Sequence, residues 1–248
     1  MAPSPTAVAK RVIRRAGLEP AAIRALQTVH PNHRRDAKDD EHLLVVLAAT
    51  LTAASNCVDI GANRGDVLAA MARLAPDGRH HAFEALPELA AALGRRVPAA
   101  TVHQVALTDE AGTAVFTRAV GDEGYSSLRP AGIPSGLETE ELIVPTGRLD
   151  DLLPADAAPD FVKIDVEGAE YATLRGARET LRAHHPVLWI EHGRTQSGYH
   201  GASSQDLWDL VCGELGYRLF TADGDGPVPR EEFTVGRGRP MMWNWLAR

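Results

Sequence analysis

Several kinds of residue and segment are scarce in this sequence, and their scarcity excludes whole classes of protein. The two cysteines, Cys57 and Cys212, lie far apart, so the chain has neither a disulfide framework nor the ligand spacing of a zinc site. It contains no apolar run of about twenty residues, the length that a transmembrane helix requires. Aromatic residues make up 5% of the chain and the net charge is −7, which argues against stacking on bases and against binding a phosphate backbone. We therefore expect a cytoplasmic protein that binds neither nucleic acid nor membrane, while homodimerisation stays open.

The periodicity of the apolar residues predicts one α/β domain behind a helical extension. In residues 1–54 apolar side chains recur at helical spacing, and Asp39, Asp40 and Glu41 open a helix that ends near Leu51. We interpret 1–54 as an N-terminal helical extension or lid. In residues 55–248 strands and helices alternate, which predicts a Rossmann-like, mostly parallel seven-stranded sheet with helices on both faces. The predicted strands are 57–60, 81–84, 101–107, 113–120, 160–165, 186–192, 217–221 and 241–246, and residues 121–145, rich in Gly, Ser and Pro, are expected to form a loop over the site.

A glycine-containing turn directly follows the first predicted strand, in the sequence VDIGANRG at 58–65. Gly61 and Gly65 allow the backbone to approach a ligand closely, and the following helix N-terminus offers free N–H groups. Nineteen residues after Gly65, the second strand ends in Glu84, a carboxylate placed to accept hydrogen bonds from two ribose hydroxyls. The pattern therefore predicts a site for a cofactor that contains a nucleoside.

The residues of the turn favour one cofactor over another. A dinucleotide site would have a third glycine around its pyrophosphate, and Asp59 would repel that group. An acidic residue there suits the amino group and sulfonium of S-adenosylmethionine. A nicotinamide-dependent oxidoreductase is the alternative class, and a non-catalytic protein that keeps the cofactor pocket is a third.

Polar or acidic residues lie at the ends of five of the predicted strands. In such sheets ligands lie beyond the carboxyl ends of the strands, so these residues should surround one site. They are Asp59 with the glycine turn, Glu84, the segment Ala106 to Asp109, the segment Asp165 to Gly168, and Glu191 with His192.

With these motifs in family order, the chain resembles the FkbM-type methyltransferases, a branch of the class I S-adenosylmethionine-dependent enzymes. The matching segments are VDIGANRG, FEALPEL (83–89), VALTDEAG (105–112), SSL (126–128), RLDDLL (148–153), FVKIDVEGAEYATLRGA (161–177) and LWIEHG (188–193). The resemblance implies that Asp59, Gly61, Ala62, Asn63 and Gly65 hold the methionine part of the cofactor and that Glu84 binds its ribose. It also implies that Ala106 and Leu107 flank the adenine, with Asp109 nearby, and that Asp165 and Glu167 border the methyl group and the acceptor.

The catalytic candidates are Asp165, Glu191, His192 and Lys163. Methyl transfer to a hydroxyl needs a positioned acceptor and is helped by removal of its proton, for which His192 or Asp165 is a candidate base. An alternative has Asp165, Glu191 and His192 bind Mg²⁺, and a third option is positioning alone. Lys163 lies in a buried strand and needs a partner, either Asp59 or Glu191, so a structural ion pair competes with a catalytic role.

Together these features predict an S-adenosylmethionine-dependent O-methyltransferase. The expected acceptor is a hydroxyl of a small metabolite, of the sugar or polyketide type, which suggests natural product biosynthesis. Ser126 and Ser127 are open between ligand contact and a turn cap, and Tyr171 is expected in the core.

Overall fold

The computed structural model describes residues 31–128, 133, 136–193, 202–235 and 243–248, with side chains from residue 38 onward. The helices predicted within the first thirty residues lie outside this part of the chain. So does any lid that they would form, and the proposed domain boundary near residue 54 stays a prediction.

A seven-stranded sheet forms the centre of the molecule, as the alternation of strands and helices predicts. The strands lie in the order β3-β2-β1-β7-β8-β10-β9. All neighbouring pairs are parallel except the two that involve β10. The bounds are β1 Cys57–Ile60, β2 His80–Glu84, β3 Ala100–Gln104, β7 Phe161–Ile164, β8 Val187–Glu191, β9 Leu219–Thr221 and β10 Asn244–Ala247.

Helices cover the sheet, and most of them connect one strand to the next. Their bounds are α1 Pro31–Thr50, α2 Asp66–Leu74, α3 Pro87–Arg96, α4 Leu149–Leu152, α5 Glu170–Gly176, α6 Arg178–His184, α7 Ser204–Trp208 and α8 Arg230–Val235. A π-helical segment, Asp209–Glu214, continues α7. None of the helices in the described ranges is long and apolar enough to cross a membrane.

Alternation along the central strands separates a mainly apolar face from one that also carries charge. Val58, Ile60, Val162, Ile164 and Ile190 point to the larger core cluster. Their neighbours in sequence point the other way, because successive side chains of a strand face opposite sides. On that second face Cys57, Phe161 and Trp189 pack against Leu43 and Leu47 of α1. The residues two positions further along these strands are Asp59, Lys163 and Glu191, so the alternation places all three on the same face.

A second, three-stranded sheet lies beside the main one and corrects two expectations. Its strands are β4 Ala106–Leu107, β5 Gly112–Ala119 and β6 Thr139–Gly147, in the order β4-β6-β5. The single strand predicted over 101–107 is therefore two strands, because the chain leaves the main sheet after Gln104 and Ala106 pairs with Thr146 instead. The prediction of a loop over 121–145 was wrong for its last part. There β6 pairs with β5 at eight register positions, and its residues Leu142 and Val144 point inward.

One helix prediction also changes. Helix α1 begins at Pro31, eight residues before the acidic triplet that was expected to open it. After β7 the chain forms two short helices, α5 and α6, and Gly176 is the last residue of the first. A Cβ atom at Gly176 would come within 2.0 Å of the Thr108 carbonyl oxygen, so the close backbone approach requires glycine at this position.

Candidate active site

The carboxyl ends of β2, β1, β7 and β8 border one cleft, at the edge of the sheet where the motifs were expected to meet. The cleft encloses about 770 Å³ of empty space with its open mouth included. The predicted site residues that line it are Gly61, Asn63, Glu84, Ala106, Leu107, Asp165, Glu167 and Glu191. Asp59, Ala62, Gly65, Lys163 and His192 are not part of its lining.

The glycine turn after β1 has three residues in the left-handed region. The φ angles are 73° at Gly61, 47° at Asn63 and 78° at Gly65. A Cβ atom at Gly61 would lie 1.7 Å from the Asp165 carbonyl oxygen, so only glycine lets the ends of β1 and β7 approach this closely. At Gly65 the nearest atom would be Leu93 Cδ2 at 2.4 Å. Gly61 therefore shapes the cleft, whereas Gly65 serves the packing of α2 against α3.

Glu84 fixes this turn as well as facing the cleft. Its Oε2 accepts a hydrogen bond from the Asn63 backbone N–H at 2.8 Å, and its Oε1 accepts one from Leu86 N–H at 2.9 Å. Burial raises the pKa of Glu84, and the two N–H donors oppose that rise. Each carboxylate oxygen can accept a second hydrogen bond. Glu84 can therefore bind two ligand hydroxyls without releasing the backbone.

The other end of the cleft is apolar and reaches into the small sheet. Ala106 and Leu107 line it as expected, and both are buried. The lining also includes apolar residues that were not predicted as site residues, among them Leu86, Leu89, Phe116 and Leu128. The inward alternation of β5 was the signal that could have found Phe116, whose buried ring packs with Leu86 and Ala106.

The segment that follows β5 closes one side of the cleft. Residues Glu123–Tyr125 form a short 3₁₀ helix, and Glu123, Gly124 and Ser126 line the cavity. Arg64 of the glycine turn lies 3.6 Å from Glu123. Ser126 Oγ accepts a hydrogen bond from Ala119 N–H at 3.0 Å, so this serine caps the backbone at the same time as it faces the cleft. Ser127 is buried and pairs with the backbone of Thr117 instead.

Beneath the polar end of the cleft, Lys163 connects three groups. Its Nζ donates a hydrogen bond to the Gly61 carbonyl oxygen at 2.9 Å and lies 3.0 Å from Asp165 Oδ2 and 3.4 Å from Asp59 Oδ1. Burial by itself would lower the pKa of Lys163, but the charges of Asp165 and Asp59 raise it above the usual value. Of the two partners that the sequence left open, Asp59 forms the ion pair. Fully buried, Asp59 is directed at Lys163 and not into the cleft.

Three carboxylates meet at the ends of β7 and β8. Oxygen atoms of Asp165, Glu167 and Glu191 all lie within 4.8 Å of one another. Burial, followed by the charges of Asp165 and Glu170, raises the pKa of Glu167 to about 9. Burial and then the charge of Asp165 raise the pKa of Glu191 well above its usual value. Like charges at this distance repel one another, so full ionisation of all three carboxylates is unfavourable.

His192 does not join this cluster, although it follows Glu191 directly. Strand alternation turns it to the opposite face. There it is buried, its Nε2 lies 2.8 Å from Ser204 Oγ, and its ring stacks on Phe233 at 5.3 Å. The structure thus does not support the expectation that His192 acts as a base or a metal ligand in the cleft. Asp109 is also outside it and pairs with Arg175 at 3.0 Å.

The strand order, the antiparallel β10 between β8 and β9, the glycine turn after β1 and the carboxylate ending β2 define a class I S-adenosylmethionine-dependent methyltransferase. The cleft fits this cofactor, since it offers polar groups at Gly61 and Asp165, a carboxylate at Glu84 and an apolar end. The chain belongs to the FkbM family: the model of the methyltransferase FkbM domain matches residues 59–219. The nicotinamide alternative is therefore excluded.

Solved structures with a similar fold come from several methyltransferases. An FkbM methyltransferase from Methylobacillus flagellatus KT is 20% identical with a TM-score of 0.49, and the match covers 80% of this chain and 44% of that one. A TehB-like S-adenosylmethionine-dependent methyltransferase from Corynebacterium glutamicum is 11% identical over 83% of this chain and 85% of its own, with a TM-score of 0.46. The plantazolicin methyltransferase BpumL, solved with S-adenosylhomocysteine, is 13% identical over 96% and 99% of the two chains, with a TM-score of 0.44. No curated protein matches the chain by sequence.

Proposed function

We propose that this methyltransferase transfers a methyl group to a hydroxyl of a small metabolite, of the sugar or polyketide type. The observation that supports this acceptor best is the carboxylate cluster of Asp165, Glu167 and Glu191 at the wall of the cofactor cleft. A secondary alcohol is a very weak acid, so a carboxylate within reach of its proton assists the transfer.

In this proposal each region of the cleft would hold a different part of the cofactor. Gly61 and Asp165 would hold the methionine end, Glu84 the ribose, and Ala106 with Phe116 the adenine. When bound, the cofactor supplies an electrophilic methyl group. The chain's own contribution is to place the acceptor oxygen in line with that group and to exclude water from the apolar end.

The proton of the acceptor would pass to Glu191 or Glu167. Asp165 is the less suitable candidate, because its Oδ2 already contacts the Lys163 ammonium at 3.0 Å. The raised pKa values of Glu167 and Glu191 mark stronger bases, and a cationic cofactor in the cleft would favour their ionised forms. We therefore propose Glu191 or Glu167, and not His192, as the base.

The charge of the cleft limits the acceptors that suit it. Five carboxylates line it: Glu84, Glu123, Asp165, Glu167 and Glu191. Phosphorylated or carboxylated substrates would be repelled by these carboxylates. A neutral polyol, in contrast, could donate hydrogen bonds from its hydroxyl groups to them. A neutral hydroxylated metabolite is thus the favoured class.

Mg²⁺ is not needed in this proposal. Only Asp165 and Glu191 of the three expected ligands reach the cleft, and Lys163 already places a positive charge against Asp165. Treatment with EDTA is expected to leave the rate unchanged, and restoration of a lost rate by added Mg²⁺ would contradict this part of the proposal. A role in natural product biosynthesis, a cytoplasmic location and a homodimer remain proposals from the sequence.

The test is a transfer assay with methyl-labelled S-adenosylmethionine and a panel of acceptors. The panel pairs neutral sugars and polyketide-type alcohols with the phosphorylated form of each sugar and with simple amines. We expect label in a neutral alcohol, and a loss of at least 100-fold in kcat for the Glu191→Gln variant, the size typical of general base catalysis. Label only in amines or only in phosphorylated acceptors would refute the proposed substrate class.

A further inference from the structure

Lys163 is one of three lysines in the chain, and its side chain is only 8% exposed. It lies at the centre of the sheet, on β7 between β1 and β8. Its register partner on β1 is Asp59, and Asp165 follows it by two residues, so all three side chains lie on one face. A buried ammonium is unfavourable unless it is paired with opposite charges and hydrogen-bonded, so its partners define its role.

Two of the three partners of Lys163 line the cofactor cleft, and the third does not. The Gly61 carbonyl is the first group of the glycine turn, and Asp165 lines the cleft at the end of β7. Asp59 contacts Lys163 but not the cleft. The ammonium therefore connects two groups that face the ligand with one that only balances charge.

The same ammonium also acts on carboxylates around this end of the cleft. It favours the ionised forms of acidic groups on four elements around it. These are Asp59 on β1, Glu84 on β2, Glu167 after β7 and Glu191 on β8. Removing the ammonium would leave these acids without their shared counter-charge.

We propose that Lys163 is a positioning residue: held by Asp59, it orients the Gly61 carbonyl and the Asp165 carboxylate toward the methionine end of the cofactor. This inference rests on the proposed cofactor orientation, and it assigns Asp59 to Lys163 rather than to the cofactor. Lys163 itself does not line the cleft.

The experiment compares Lys163→Met with the double variant Asp59→Asn/Lys163→Met. The single variant leaves Asp59 buried without its counter-charge and should unfold at lower urea. The double variant removes both charges and should regain stability, because replacing a whole buried pair costs far less than breaking it. Lys38→Met serves as the control, since it removes an exposed lysine that pairs with Asp223 at 2.7 Å. Each protein is titrated with S-adenosylhomocysteine by calorimetry.

A positioning role and a purely structural one predict different results for the double variant. If Lys163 positions the ligand groups, the double variant binds at least tenfold more weakly than wild type despite its recovered stability. If its affinity recovers together with its stability, the inference is overturned. If wild type itself binds no S-adenosylhomocysteine, the proposed function fails first, so the two failures are distinguishable.

A pH profile gives a second readout. Without the ammonium, Glu167 and Glu191 hold their protons to higher pH, so the acid limb of kcat/KM should move upward by at least half a pH unit in the double variant. An unmoved acid limb would contradict the role of Lys163 in setting the charge of the cluster.

Discussion

Replacing Gly61 with alanine should both destabilise the protein and abolish cofactor binding. The new Cβ would lie 1.7 Å from the Asp165 carbonyl oxygen, which is backbone and cannot rotate away. The φ of 73° adds the cost of the left-handed region, about 1–2 kcal/mol for a residue with a Cβ. Separating the ends of β1 and β7 adds a further 1–3 kcal/mol or so, as overpacking does elsewhere. We expect a total of roughly 2–5 kcal/mol.

A glycine within helix α3 provides the control. Gly94 lies in α3, and a Cβ atom there would meet nothing within 4 Å. Gly94→Ala should therefore stabilise the protein by about 0.5–1 kcal/mol, the difference in helix propensity. Urea unfolding gives both free energies, and calorimetry with S-adenosylhomocysteine gives the affinity. A Gly61→Ala protein as stable as wild type, or one that still binds the ligand normally, would refute this account of the turn.

Three further predictions concern residues around the site. Phe116→Ala should weaken S-adenosylhomocysteine binding by at least tenfold in calorimetry, because the buried ring lines the apolar end of the cleft; equal affinity would exclude an adenine contact. His192→Gln should lower the urea midpoint without moving the pH profile of kcat/KM, since the ring lies in the core; a shifted profile would restore it as a base. Burial lowers the pKa of both His81 and His103, so the folded state binds fewer protons than the unfolded state. The contribution of these histidines to the free energy of unfolding should therefore be complete above pH 6.5, the usual pKa of histidine, and should decrease as the pH falls below it. Urea midpoints measured between pH 8 and 5 test this, and a midpoint constant over that range, or the same loss in a His81→Phe protein, would contradict it.

The parts of the fold that the sequence predicts are those that depend on local pattern. Apolar runs of four or five residues bounded by turns located the parallel strands, and several residues at the ends of these strands line the cleft. Gly61 and Glu84 could be assigned in advance because a left-handed turn and a strand-end carboxylate each leave a sequence signature.

The parts that could not be predicted depend on which strands pair and which way a side chain points. Nothing local shows that β4 leaves the main sheet to pair with β6, since a β-prone run looks the same in either sheet. His192 and Glu191 were both candidates, and what separates them is the face of the sheet to which each side chain points. Phe116 was missed because its strand belongs to the small sheet, which the sequence analysis did not place beside the cleft.

The assignment of Asp59 shows a different limit. An acid before a glycine turn is consistent with a cationic ligand, and it is equally consistent with a buried lysine on the next strand. The choice depends on the register of β1 with β7, which places Asp59 opposite Lys163. The charge pattern of a motif therefore predicts a cation nearby, but not whether the cation is a ligand or a side chain.

The measurement that tests the central claim most directly is calorimetric titration with S-adenosylhomocysteine of wild type, Glu84→Ala and Glu179→Ala. Glu179 is an exposed carboxylate outside the cleft, so its replacement should leave the affinity unchanged. We expect micromolar binding, about −8 kcal/mol, by wild type and by Glu179→Ala, and an affinity at least tenfold lower in Glu84→Ala. Circular dichroism confirms that each protein is folded. A folded wild type that does not bind S-adenosylhomocysteine would contradict the account.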